Sequence, residues 1–256
     1  MSIDWNPVAH VGPLPINWYG LTFALGFLIG GAIVRRHSVR YGIKADQVDT
    51  AVLWIAVGTM IGARLYYVVQ NDVGEYLRQP WRILAFWEGG LAFFGGLFGA
   101  IIAAWIYARR AGIPFGRLAD LFAPAVPIGS AIGRISCFLD GMDYGTPTGL
   151  PWGVVYTNPN SYAPNDGVAR HPDQVYELLG DLVIAALLFT VRNRFSHGSL
   201  FLVYLILFSV LRFFLFFVRG NVPLVAFGLK NGQLTALAIL VIAIPIFLRS
   251  RIFQRS

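Results

Sequence analysis

Arg134 lies inside an apolar run that ends in a glycine- and aspartate-rich turn, Gly133-Arg134-Ile135-Ser136-Cys137-Phe138-Leu139-Asp140-Gly141-Met142-Asp143-Tyr144-Gly145. Arg64 and Arg212 interrupt two other apolar runs. An arginine at mid-membrane costs about 2.5–3.5 kcal/mol on insertion scales, so packing alone does not account for it where leucine would serve. The chemistry such residues offer is the holding of an anion by a planar fork of donors. Acidic residues fall near the same level. Asp140 ends the Arg134 run, Glu88 precedes another, and Glu177 and Asp181 stand four apart on one helix face. They pair with the arginines or serve only as counter-ions, and Asp181, the deeper of the two, reads as a counter-ion. The lone cysteine, Cys137, excludes an intramolecular disulfide and reads first as a small buried packing residue.

The elements that must position these groups are membrane helices. Of 256 residues, 56% are hydrophobic and 13% charged, and the mean hydropathy is +0.61. Soluble domains carry roughly 25% charged residues. The apolar runs predict an all-α, polytopic membrane protein of one transmembrane domain, residues 1–256. Its seven spans run over 17–34, 49–69, 90–108, 118–140, 173–191, 199–218 and 231–248. The net charge of +7 sits in short clusters between these runs, which is the pattern of membrane topology and not a nucleic-acid stripe. Residues 1–15 have no basic leader region, so no cleavable signal peptide is expected.

The clusters orient the chain. Four basic residues follow span 1, three follow span 3, two follow span 5 and three lie in the tail, twelve of the 20 on one side. The other side holds Arg78, Arg82, Arg170, Arg219 and Lys230. An N-terminus outside and a C-terminus in the cytoplasm follow. Arg64, Arg134 and Arg212 then each lie about six residues, or roughly 9 Å, from the outer end of an outward-running span. Three arginines at matched depth point to a shared polar cavity, against the alternative that each snorkels to the headgroups.

Glycines recur at helix-packing spacing at 26/30, 58/62, 95/99 and 129/133. Pro124 and Pro127 predict a kink below Arg134. Two outer segments are too long for turns. Residues 70–89, with Tyr76, Trp81, Phe86 and Trp87, suit an interfacial arm. Residues 141–172, with Trp152, Tyr156 and Tyr162, suit a small external cap loop. No internal repeat or nucleotide-binding glycine motif is present.

Several strings in order carry a resemblance: Trp18-Tyr19-Gly20-Leu21, Gly62-Ala63-Arg64, Trp87-Glu88-Gly89-Gly90-Leu91-Ala92-Phe93-Phe94-Gly95-Gly96, the 133–145 run, Arg170-His171-Pro172-Asp173-Gln174-Val175-Tyr176-Glu177, Arg212 with Arg219, and Gly232-Gln233. Over most of the chain this pattern resembles bacterial prolipoprotein diacylglyceryl transferases. The resemblance implies a multi-pass inner-membrane enzyme of seven helices. Such an enzyme transfers diacylglyceryl from phosphatidylglycerol to the lipobox cysteine of a preprolipoprotein signal peptide, releasing glycerol phosphate. It implies phosphate held by Arg134 and Arg212, a lipid site shaped by Tyr19 and Gly145, and no metal, nucleotide or other cofactor. Arg64, Glu88, Phe94, Cys137, Asp140, Glu177 and Arg219 are the further residues it places along the substrate site.

The departures fall on the acid–base half. Relatives often carry histidine, a proposed thiol base, where this chain has Phe94. Cys137 replaces an asparagine, Met142 a glutamate and Phe216 an acidic residue. His171 is the only histidine expected near the outer site. It serves there as proton acceptor or as a structural hydrogen bond within the cap; Glu88, Asp140 and Asp143 are acceptors by position. The alternative function is a catalytically altered relative that binds anionic lipid or lipopeptide without transfer. A transporter ranks third, because the intramembrane charges do not reach the cytoplasmic half.

Overall fold

The computed structural model describes residues 1–11, 14–70, 73–84, 92–195 and 198–252. These residues form nine α-helices: α1 (Trp18–His37), α2 (Ala45–Gln70), α3 (Val73–Arg78), α4 (Phe93–Arg110), α5 (Phe115–Phe122), α6 (Ala125–Asp140), α7 (Asp173–Val191), α8 (Ser199–Val218) and α9 (Asn231–Ile252). Six short strands accompany them: β1 (Ser2–Ile3), β2 (Val8–Val11), β3 (Leu14–Asn17), β4 (Val155–Tyr156), β5 (Leu224–Ala226) and β6 (Leu229–Lys230). β2–β3 and β5–β6 are antiparallel hairpins, and β1 pairs in parallel with β4. Long apolar sequences become helices because a helix bonds every backbone group within itself, as hydrocarbon requires.

Among the described residues five helices are long and apolar enough to cross a membrane: those over Trp18–Tyr41, Ala45–Val69, Asp173–Val191, Ser199–Val218 and Asn231–Arg249. Phe115–Phe122 and Ala125–Asp140 qualify together as a sixth, bent by 41°. The chain is therefore a polytopic helical membrane protein. Its fourth apolar run, expected over 118–140, is a broken helix. Pro124 stands at the N-cap of α6, where its ring prevents the helix of the preceding turn from running on.

The chain divides into two compact units, residues 34–118 and residues 1–33 with 119–256. In the first, α2 and α4 meet backbone to backbone. A Cβ on Gly62 would lie 2.2 Å from the Gly95 carbonyl oxygen, and one on Gly99 would lie 2.0 Å from that of Gly58. No other residue allows this approach.

In the second unit, α7 and α8 enclose a core of Ile184, Leu188, Leu200 and Tyr204 with Ala123. Gly26 of α1 packs on Gly129 of α6, where a Cβ would sit 2.7 Å from the Gly129 oxygen, whereas Gly133 has nothing within 4 Å. Asp120 of α5 accepts hydrogen bonds from the amides of Gly198 and Phe201 (the latter 2.8 Å), and so caps the start of α8 from another element. Residues 141–172 are tied down rather than loose. Val154, Tyr156 and Ala163 pack with Ile3 against Phe138 and Tyr144. Tyr156 Oη donates to the Phe138 carbonyl at 3.0 Å.

Candidate functional site: a buried arginine cluster

Four elements of the second unit bring charge together. The last turns of α6 carry Arg134, and the turn that follows carries Asp143. The first two turns of α7 carry Asp173 and Glu177, one face apart by the four-residue step. The last turns of α8 carry Arg212, with Arg219 directly after the helix. Glu177 is the hub. Its Oε1 accepts from Arg134 Nη2 at 3.0 Å and from Arg212 Nη1 at 2.5 Å. Its Oε2 accepts from Arg219 Nη2 at 2.7 Å. Arg219 Nε also donates to Asp173 Oδ2 at 2.7 Å. Arg134 Nη1 donates to Asp143 Oδ2 at 2.7 Å, with Arg219 Nη1 3.5 Å from the same oxygen.

Burial within the cluster is uneven. The side chains of Glu177, Asp173 and Arg219 are 0%, 0% and 3% exposed, whereas those of Arg134, Arg212 and Asp143 keep 16%, 19% and 31%. Glu177 and Asp173 thus form the floor, and the other three groups face outward. Burial pushes the Asp143 carboxyl up, but Arg219, Arg134 and the hydrogen bonds from Arg134 and Asn221 outweigh it and hold the group below the usual carboxylate range. Phe216 lies between two guanidiniums, 4.9 Å from Arg212 and 4.7 Å from Arg219. An aromatic face favours cations through its quadrupole. The ring is seated on Gly232, where a Cβ would fall 2.1 Å from it.

The other residues expected at the site are placed as follows. Tyr19 is the second residue of α1, its amide donating to Asn17 Oδ1 at 2.9 Å. It interacts electrostatically with Cys137, Arg134 and Asp143, which places it beside the cluster. Cys137 is buried and free, its sulfur 4.0 Å from Arg134 Nη1. Gly145 lies against His171, whose carbonyl oxygen would be 2.4 Å from an added Cβ. That carbonyl accepts from the Gly145 amide at 3.2 Å, and the His171 amide donates to Thr146. The His171 ring meets Tyr176 Oη at 3.3 Å, and that hydroxyl also accepts from Trp152 Nε1.

Asp140 is fully buried at the end of α6, and its two carboxyl oxygens have no hydrogen-bond partner. It does not join the arginines. Asp181 is equally buried. Its two carboxyl oxygens have no hydrogen-bond partner, with Ser130 close by. Arg64 belongs to the other unit and donates to the carbonyls of Ile83 (3.1 Å) and Arg82 (2.6 Å), with Tyr67 and Tyr76 rings below 6 Å. Glu88 lies outside the described residues, as does the Phe94 side chain, although Phe94 belongs to the first turn of α4.

One member of the cluster, Asp173, is not among the residues that the sequence singles out as binding or catalytic, and another, Asp143, is named there only as a proton acceptor by position. Asp173 stands four residues before Glu177, the same spacing that linked Glu177 to Asp181, so the helical step was enough to find it. Asp143 was legible only as one of several acids near the turn. Its φ of +56° turns the carboxylate back toward Arg134, and nothing in the spacing announces that. Among the described residues no group of histidine, cysteine and acidic side chains is arranged to hold a metal.

A family profile described as prolipoprotein diacylglyceryl transferase matches residues 7–249. Relatives named phosphatidylglycerol–prolipoprotein diacylglyceryl transferase share about a third of their residues with this chain. The one from Nitratidesulfovibrio vulgaris (strain Miyazaki F) is 36% identical over 96% of this chain and 94% of its own. That from Geobacter sulfurreducens is 36% identical over 88% and 87%. That from Rhizobium leguminosarum bv. trifolii is 37% identical over 91% and 85%. With a match across nearly the whole length, the chain belongs to the prolipoprotein diacylglyceryl transferase family.

Proposed function

We propose that this protein transfers the diacylglyceryl group of phosphatidylglycerol to the lipobox cysteine of a preprolipoprotein, releasing glycerol phosphate, at the outer face of the bacterial inner membrane. The observation that carries this reading is the three-arginine cluster, in a chain of this family. Arg134 and Arg212 are partly exposed forked donors backed by a buried carboxylate, which suits them to grip a phosphodiester. As the carbon–oxygen bond to phosphate breaks, negative charge grows on the leaving oxygen. Guanidiniums already fixed by Glu177 stabilise it without reorganising. Arg219, tied to both Asp173 and Glu177, holds the floor in place. Tyr19 and Gly145 shape the lipid site, with Cys137 and Asp140 on the same helix as Arg134.

Seven spans are completed when α4 is added to the six apolar ones. The basic residues then put the N-terminus outside and the C-terminus in the cytoplasm. In that frame residues 141–172 cap the outer face and residues 70–89 form an interfacial arm, which Arg64 anchors at the carbonyls of Arg82 and Ile83, and Glu88 and Phe94 serve the substrate site. His171, wired through its backbone to Gly145 and through its ring to Tyr176, braces the cap beside the site. No cofactor enters the reaction. A reporter fused after Ser256 should read cytoplasm and one within 141–172 exterior; either reversal removes the outer-face site.

The deciding experiment is transfer of labelled diacylglyceryl from phosphatidylglycerol to a lipobox peptide by the purified protein. The second reading, a relative that binds anionic lipid or lipopeptide without transfer, is favoured by Phe94 and Phe216, because phenylalanine takes no proton. Lipid binding without transfer at any pH, with transfer appearing only in Phe94→His, would establish that second reading.

A further inference from the structure

Within the cluster three guanidiniums, Arg134, Arg212 and Arg219, face three carboxylates, Asp143, Asp173 and Glu177. The network is therefore neutral before any substrate arrives. A phosphodiester brings one negative charge into a site whose donors are already engaged, Arg134 with Asp143 on one nitrogen and with Glu177 on the other. Binding must displace a carboxylate or leave an uncompensated charge in a poorly solvated place.

The three carboxylates differ in freedom. Glu177 and Asp173 are wholly enclosed and grow from the rigid first turns of α7. Asp143 is 31% exposed and sits on a turn, two residues beyond Gly141. Its second oxygen has only a marginal contact, 3.4 Å from Asn221 Nδ2. It is the partner that can leave.

We propose that Asp143 is the exchangeable ligand of the arginine cluster: the lipid phosphate takes its place on Arg134, and the released carboxylate accepts the proton of the substrate thiol. This rests on the reading of Arg134 and Arg212 as the phosphate site, and it supplies the acceptor that Phe94 cannot be. In the step, the S–H bond breaks and its proton passes to an Asp143 oxygen. The sulfur lone pair forms the bond to the glyceryl carbon. The electrons of the carbon–oxygen bond leave with glycerol phosphate, which departs as a dianion. Asp143 then returns its proton to water or to the departing phosphate and closes again on Arg134. Displacement also prepares the group for this work. On Arg134 it is a poor base, and beside a phosphate in its stead it is a better one.

The charged and titratable groups around Asp143 are Arg134 and Cys137 from α6, Asp173 and Glu177 from α7, Arg212 and Arg219 from α8 and its end, and Tyr19 from α1. The arginines keep Asp143 ionised until the swap. Only the arriving phosphate adds negative charge next to it.

The test uses the full-length protein in nanodiscs, with short-chain phosphatidylglycerol and two lipobox peptides, one with cysteine and one with selenocysteine. A selenol is ionised at neutral pH and needs no acceptor. Asp143→Asn should bind the lipid as tightly as wild type or more tightly, since a competitor for Arg134 is gone. It should transfer to the cysteine peptide about 100-fold more slowly, the size of a general-base contribution, and recover to within a few-fold of wild type with the selenocysteine peptide. Wild-type transfer to cysteine by Asp143→Asn would overturn the proposal. So would weakened lipid binding without selenocysteine rescue, which would mean that Asp143 only organises the arginines. An Arg134→Lys protein that binds the lipid at wild-type affinity would instead overturn the phosphate site itself, and the exchange with it.

Discussion

Two buried arginine sites in this chain differ in the contacts seen around them among the described residues. Arg64, in the unit of residues 34–118, donates to backbone carbonyls of Arg82 and Ile83 and lies near two tyrosine rings. Arg134, Arg212 and Arg219, in the other unit, are bound to carboxylates. Backbone carbonyls are fixed by the fold and cannot be traded without unfolding the segment that carries them. Carboxylates are anions, and another anion can compete for their place. The first arrangement builds structure, and the second builds a binding site that idles in a neutral state.

The harshest way to break the contrast is to remove the hub. Glu177→Gln leaves three guanidiniums against two carboxylates in a closed place. Breaking such a buried pair costs about 3–5 kcal/mol. The expected outcome is a large fall in thermal midpoint in detergent together with loss of transfer. A midpoint close to wild type would mean that the cluster is not a network.

Next in size are the lysine exchanges. Arg134→Lys and Arg212→Lys keep charge but lose the fork, and charge-assisted bonds of about 1.5–3 kcal/mol imply transfer slowed about 10- to 150-fold for each. Arg64→Lys should act on stability far more than on rate. Equal kinetic losses at all three positions would erase the distinction between anchor and ligand holder.

The packing that frames each arginine offers a smaller contrast. Gly62→Ala must push α2 from α4, and overpacking of this kind costs about 1–3 kcal/mol. Gly133→Ala meets open space and should stay within about 0.5 kcal/mol. Thermal midpoints of the two variants check this.

The finest test is pH. The folded Asp143 carboxyl titrates below its ordinary 3.8, so the stability it contributes is present above that value. It is lost as pH falls through the lower folded one. The midpoint gap between wild type and Asp143→Asn should therefore be constant near neutrality and close in acid below pH 3.8. A gap that widens on acidification would reverse the sign and deny the pairing with Arg134 and Arg219.

Much of this was legible in the residues. A lone arginine in an apolar run is conspicuous because of what it costs, and the 133–145 and 170–177 strings named the two segments that meet. Arg219 was harder to place. It lies past the end of an apolar run and reads as an outer-side loop residue, yet it is almost fully buried, because the extended backbone after α8 turns it in toward Asp173. Glycine spacing announced close helix packing but not its partners. Gly58 and Gly62 do meet Gly95 and Gly99, whereas Gly133 touches nothing, since a four-residue step marks a helix face and not what lies opposite. The placement of Asp143 depends on one positive φ, a property of the folded turn rather than of any residue pattern.

The cap that Asp120 places on α8 also bears on how the chain assembles. The first amides of a helix have no partners of their own, and here two of them are met by a carboxylate 78 and 81 residues earlier in the chain. Synthesis therefore delivers the cap long before the helix that needs it. When α8 emerges, its leading amides depend on water until they find α5, already made and waiting. That docking ties α8, which carries Arg212, to the broken helix pair, so the placement of this arginine rests on a contact closed across 78 residues of chain.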